Sequence, residues 1–465
     1  MAALDAHRVT MARGAASTSS RLPSMLRGSR RLVLAAGAAI VGVALLAPSA
    51  LATDTAAPPE ASAGDTAWML TATAFVMVML PGLALFYGGL VRRKNVLSTI
   101  MHSVFALALV SVVWVLWGFS LAFGPDAGGG LIGNLSFVGF SGVTGAVDPR
   151  YAPAVPFIVF ASFQLMFAAI TPALISGAFA ERKRFSAFVL FIVLWSTFVY
   201  APLAHWVWAP DGWLHKLGAL DFAGGTVVHI SSGVAALVTA LVIGKRVRGD
   251  TDRFEPHDVP MTVLGAGLLW FGWFGFNAGS ALAANGQAAN ALLVTNTAAA
   301  AGCLTWTLAS WMHKGKASVV GAASGAVAGL VAITPASGFV TAGGSVLIGL
   351  LAGFICYGAI LLREQLRVDD ALDVWAVHGV GGTLGALLTG VLAVAAIGGV
   401  GGFIEGNVQQ VWFQLVAVGA TWAFSAAATF VILKVVNALL GLRVAAHDEE
   451  LGLDRTQHGE VAYPA

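Results

Sequence analysis

The sequence predicts an all-α polytopic membrane protein, and three observations carry that expectation. Hydrophobic residues make up 58% of the chain and charged residues 10%, with a mean hydropathy of +0.82, whereas soluble domains carry about 25% charge. Apolar runs long enough to cross a hydrocarbon core of about 30 Å recur from residue 66 onward. Basic residues fall in every second connection between those runs, the pattern of loops held on the cytoplasmic side. A net charge of +2 over 465 residues gives no argument for a nucleic-acid partner. Cys303 and Cys356 lie inside apolar runs, where a thiol fits a small core residue, and no metal or cofactor is expected.

Taken in order, residues 1–31 are Arg- and Ser-rich and precede the run LVLAAGAAIVGVALLAPSALA, which ends in an A-x-A pattern at Ala50, Leu51 and Ala52. This reads as a cleaved secretory signal over 1–52, with an uncleaved first helix as its rival. Residues 53–65 read as a polar extracytoplasmic segment. Eleven spans then follow near 66–91, 98–124, 155–180, 185–208, 222–244, 259–282, 289–313, 317–336, 341–362, 371–397 and 411–441, a membrane domain of 66–442. Alternate connections hold Arg92, Arg93 and Lys94, then Arg182, Lys183 and Arg184, then Lys245, Arg246, Arg248 and Arg253, then Lys314 and Lys316, then Arg363 and Arg367. The others hold little beyond Arg150 and Lys216. The positive-inside rule therefore puts the N-terminus outside and the tail, 443–465, inside a cell membrane, read as a bacterial inner membrane.

Two histidines stand inside these uncharged runs, each eight residues after an aspartate: Asp221 with His229, and Asp370 with His378. Ionisable groups are costly within a membrane, so such residues point to a site or a cavity. Span 5 runs inward and span 10 outward, and eight residues at 1.5 Å each place each histidine about 12 Å from its own face. In a core of about 30 Å the two then lie within about 6 Å of each other in depth. Five helices followed by five of opposite sense, with the same landmark in the fifth of each, predict an inverted 5+5 repeat with a midplane site and one extra helix. The aspartates also fit N-caps, as does Asp373, and a lone buried histidine fits an interhelical hydrogen bond. Two at matched positions favour a shared site. Glycine clusters around both histidines, which suits close backbone packing and a narrow path.

Other spans carry groups suited to a small cation. Phe163, Gln164 and Phe167 lie on span 3, Trp206 and Trp208 end span 4, and Trp273, Phe276, Asn277 and Ser280 lie on span 6. An aromatic face attracts an ammonium-like ion by roughly 0.5–2 kcal/mol, and a serine hydroxyl accepts a hydrogen bond from one. Each aromatic alone also fits core packing or an interface belt.

The strings LPGLALFYGGLVRRKNVLS, AERKRFSA, GALDFAGGTVVHI, GWFGFNAGS, DDALDVWAVHGV and GLDRTQHGEVAY together resemble the ammonium transporter family, Amt or MEP, related to the Rhesus proteins. The resemblance runs from about 66 to 463 and implies a homotrimer of eleven-helix protomers, each with its own pore. It implies a recruitment site for NH4+ at Trp208, Phe276 and Ser280 with Phe167 beneath as a gate. His229 and His378 become the twin histidines of the pore, Asp221 a structural support, and Phe86, Tyr87 and Trp273 further pore-lining aromatics. Trp375 stands where the resemblance implies phenylalanine. In the tail, Gly452, Asp454, His458 and Glu460 are implied in coupling the protomers and in binding a PII-type nitrogen regulatory protein. The implied function is to deprotonate recruited NH4+ and pass NH3 through the hydrophobic pore, with the proton relayed separately. Rivals are a passive NH3 or CO2 channel of the Rhesus type, disfavoured by Trp208 and Ser280, and an ammonium sensor, which keeps the same pore residues. An enzyme is not expected, since no HExxH, GxSxG or Cys/His metal set accompanies the histidines.

Overall fold

The computed structural model describes residues 60–247 and 254–463. The leader of 1–52, residues 53–59 of the polar segment, Arg248, Arg253 and the last two residues of the tail lie outside them.

Ten helices among the described residues are long and apolar enough to cross a membrane. In chain order they are α1 (Ala63–Leu90), α2 (Arg93–Phe123), α3 (Phe157–Phe179), α4 (Phe185–Leu217), α5 (Gly225–Ile243), α6 (Val259–Ala281), α7 (Gly286–Lys314), α9 (Ala342–Gln365), α10 (Trp375–Leu392) and α11 (Val408–Leu440). The stretch expected as the eighth of eleven spans forms α8 (Val319–Ile333), a shorter apolar helix of 15 residues. At 1.5 Å per residue it extends about 22 Å. Pro335 explains the shortfall. A proline has no backbone N–H to donate to the carbonyl four residues back, and its ring crowds that carbonyl, so α8 stops at Ile333 rather than running to 336.

Helix starts are set by side-chain oxygens that accept otherwise unpaired backbone N–H groups. Ser62 caps α1, Asp258 caps α6, Asn285 caps α7, Ser318 caps α8 and Thr341 caps α9. The apolar residues between caps find their partners in neighbouring helices. α1 packs along α6, and the start of α5 packs on the start of α10. A Cβ added at Gly233 of α5 would lie 2.1 Å from the backbone N of Gly379 in α10, so those backbones meet where only glycine fits.

α5 and α10 also share a local irregularity. Each opens with a six-residue π-helical segment, Gly225–Ile230 and Trp375–Val380, and each segment contains one of the two histidines. Such wide turns cluster at functional sites, and a reading based on a period of 3.6 residues gives no sign of them.

Four of the five connections expected on one side of the membrane are tied together by charged residues. Glu181, from the α3–α4 connection, pairs with Arg92 of the α1–α2 connection at 2.8 Å and with Arg246, after α5, at 3.3 Å. Arg246 also pairs with Asp369, before α10, at 2.7 Å. Arg182 donates to the carbonyls of Ala178 and Gly244 at 2.9 and 3.0 Å. Burial pushes the Asp369 carboxyl up, but the hydrogen bonds and charge of Arg246 outweigh it and hold the group at about 2. The carboxylate is therefore ionised throughout the physiological range. Pairing of this kind is what lets charges be buried at all.

Candidate conduction path

A first cavity, of about 280 Å³, is lined by Phe167 and Gln164 of α3, Trp208 of α4 and Ser280 of α6. Trp208 is fixed from below, its indole N–H donating to the Asp221 carbonyl at 3.0 Å. Trp206 faces elsewhere: it donates to Leu131 O at 2.7 Å and packs on Trp213 and Phe424. The Ser280 hydroxyl donates to Phe276 O at 2.9 Å, which leaves its oxygen lone pairs available to a donor in the cavity. Beneath lie Phe167 and Phe276, almost fully buried and stacked with ring centroids 4.2 Å apart. Phe167 meets the Trp208 ring edge to face at 5.8 Å.

Below this aromatic pair a narrow lumen of about 20 Å³ is lined by Phe86, Tyr87, Trp273, Phe276, His229 and His378, together with aliphatic side chains from α1, α3, α5, α6 and α8. The rings follow one another: Phe276 stacks on His229 at 6.0 Å, and His229 lies 5.3 Å from His378. The two histidines, both buried, face each other through their Nδ1 atoms at 3.2 Å.

On the far side a third cavity, about 190 Å³, is lined by His378, Tyr87, Phe86, Asp373 and Ser324. His378 borders both this space and the lumen. The three aspartates divide by role. Asp221, buried, accepts backbone N–H groups from Gly224, Gly225, Thr226 and Val227 at 2.8, 2.6, 2.7 and 3.3 Å, and the Thr226 hydroxyl as well. Asp370 accepts from Trp375 N at 2.7 Å. Both are caps that set the starts of the histidine-bearing π segments. Asp373 instead pairs with Arg363 at 2.8 Å. Trp375 lines none of the three cavities, so its bulk lies outside the path.

Of the site residues singled out in the sequence, Phe167, Trp208 and Ser280 line the first cavity, Phe276, Trp273 and His229 the second, and Phe86, Tyr87 and His378 both the second and the third, whereas Asp221 and the tail residues line none of them. One neighbour went unnoticed. Thr334, the residue after α8, touches both Trp273 and His229 through its hydroxyl; a lone threonine before a proline gives no sequence sign of this.

The family model described as Ammonium Transporter Family matches residues 67–463. An ammonium transporter of Bacillus subtilis is 52% identical over 404 residues, covering 86% of this chain and 98% of that protein. Ammonium transporter Amt1 of Archaeoglobus fulgidus is 49% identical over 402 residues, covering 86% of this chain and all of that one (100%). The crystal structure of Saccharomyces cerevisiae Mep2 superposes with a TM-score of 0.81 at 43% identity, covering 87% of this chain and 92% of that chain. With the family model spanning nearly the whole membrane domain and relatives near half identical along their full length, the chain belongs to the ammonium transporter family.

Proposed function

We propose that this ammonium transporter recruits NH4+ in the outer aromatic cavity, removes its proton there, and conducts NH3 through the narrow lumen past His229 and His378, the proton being relayed separately. The observation that carries this reading is the unbroken succession of rings from Trp208 through Phe167, Phe276 and His229 to His378. The aromatic faces and the Ser280 oxygen suit a cation while water still reaches it. A lumen lined by aromatic and aliphatic side chains suits a neutral molecule, because a bare cation near the bilayer centre costs several kcal/mol. NH4+ therefore divides into NH3 and a proton before the lumen, and the two recombine beyond it.

Transport of this kind is electrogenic, and ammonium-driven current in proteoliposomes is the direct test. The same assay checks recruitment: Ser280→Ala and Trp208→Leu are expected to raise the half-saturating ammonium concentration about three- to tenfold, since each removes roughly one weak contact to the cation. Unchanged concentration dependence in both variants would reduce these residues to packing. Ammonium binding without current would move the protein to the sensor reading, and electroneutral ammonia flux to the gas-channel reading.

The rest of the architecture follows the same reading: eleven spans in two inverted halves, the N-terminus outside and the tail in the cytoplasm, 1–52 as a cleaved leader, and three protomers per assembly. The tail is latched to the starts of α2 and α4. Ser98 N donates to Asp454 at 2.8 Å, Lys94 Nζ donates to Glu450 O at 2.7 Å, and the His458 ring meets Phe185 at 5.0 Å. Glu460 N turns back to Asp454 O at 3.0 Å. Gly452 has φ +100°, and a Cβ there would lie 2.6 Å from the Lys94 carbonyl. Gly452→Asp is therefore expected to unlatch the tail and lower transport severalfold while the trimer stays assembled. Full activity after deletion of 452–465 would remove any coupling role. A PII-type protein on this face is expected to co-purify under nitrogen-replete conditions.

A further inference from the structure

The hydroxyl of Thr334 sits where three partners converge. α8 ends before Thr334, whose backbone N–H turns to Val331 O, so the Leu330 carbonyl has lost its usual helical donor. The Thr334 hydroxyl takes that place, donating to Leu330 O at 2.7 Å. Its single proton is thereby committed, and only its lone pairs remain. The indole N–H of Trp273, which can only donate, lies 2.9 Å away. His229 Nε2 lies 3.3 Å from the same oxygen.

We infer that Thr334 fixes the tautomers of the histidine pair, so that His229 carries its proton on Nε2, His378 carries its own on Nδ1, and His378 Nε2 is the pair's open acceptor. The steps are forced by counting protons. An oxygen that has spent its hydrogen accepts from His229 Nε2, which must therefore bear one. A neutral imidazole has one N–H, so His229 Nδ1 is bare. The 3.2 Å contact between the two Nδ1 atoms then needs its hydrogen from His378. His378 Nε2 keeps a free lone pair, and His378 is the member of the pair that borders the inner cavity.

The pair is thus polarised, with its outer end anchored through Thr334 to the backbone and its inner end open to an N–H of ammonia. Two residues that are alike in sequence position become unlike in chemistry: His229 positions, and His378 accepts. Trp273 shares the anchor, so its ring and that of His229 are held 5.5 Å apart by one oxygen. For its consequence in transport the inference rests on the conduction reading above; its geometry does not.

The test uses the full-length protein in lipid, labelled with 15N-histidine, and reads the tautomers from the ring-nitrogen shifts, with His229→Gln and His378→Gln spectra supplying assignments. Wild type and Thr334→Ser are expected to show His229 protonated on Nε2 and His378 on Nδ1. Thr334→Val is expected to shift the tautomer ratio about five- to tenfold toward a mixture, the weight of one neutral hydrogen bond. It should also lower maximal ammonium-driven current while leaving the half-saturating concentration within about twofold, since the outer cavity is untouched. A wild-type spectrum with His229 protonated on Nδ1 overturns the inference, whether or not the valine variant folds, and so does an unchanged pattern in Thr334→Val. A wild type without ammonium-driven current sinks the transport reading and leaves the tautomer result to stand alone.

Discussion

Replacement of His229 or His378 by alanine is expected to cut ammonium-driven current by roughly 100-fold, the usual weight of a positioned imidazole in proton transfer, while leaving a folded, assembled protein. The two rings touch each other through Nδ1 at 3.2 Å and otherwise meet mainly aromatic and aliphatic neighbours. Neither is a cap, and neither belongs to the ion-pair network that ties the charged connections together. Removing one ring enlarges a lumen of about 20 Å³ and takes the Nδ1 contact away from the other ring. The wider space admits water, so discrimination against other monovalent cations should fall as the ammonium current does. Current and ammonium selectivity equal to wild type in both variants would exclude the pair from the path.

Most of the architecture could be read from residue types and spacing, because the bilayer leaves few options. With no water to pair with the backbone, an apolar run must be a helix, and ten of the eleven expected runs meet the length of a span. The remaining one, α8, fell short at Pro335, a local rule that the composition-based boundary at 336 overrode. The matched Asp-to-His offsets drew attention to His229 and His378, which the fold brings together, since a buried imidazole stands out against a background of apolar residues. Two kinds of feature lay beyond such reading. The π-helical openings of α5 and α10 depend on caps and packing that a regular period does not encode. Contacts between distant segments were equally hidden: Thr334 meets His229 across 105 residues, and Arg246 meets Asp369 across 123. Trp208 and Trp206 illustrate the limit well. Both end the same span, yet Trp208 donates to the Asp221 carbonyl and lines a cavity while Trp206 donates to the Leu131 carbonyl and lines none of the three.

Asp221 is where the outer cavity and the histidine pair are joined, and its replacement is expected to have the larger effect on folding. Its carboxylate accepts four backbone N–H groups and one hydroxyl at the start of α5, and its carbonyl holds the Trp208 indole. Burial pushes its carboxyl up, opposed by those same hydrogen bonds, chiefly from Thr226. Alanine at this position leaves several buried donors without an acceptor at about 1–3 kcal/mol each, partly relieved by relaxation, so a loss on the order of 3–5 kcal/mol is expected. Asparagine keeps one carbonyl oxygen for the nearest donors but turns an NH2 group toward the others. Asp221→Asn should therefore assemble, with a thermal midpoint between those of wild type and Asp221→Ala. Because the π segment carrying His229 begins at these donors, the asparagine variant is also expected to lose maximal current more than it loses ammonium affinity. An alanine variant within about 0.5 kcal/mol of wild type, the range of an inconsequential surface change, would show that the cap does not hold this junction.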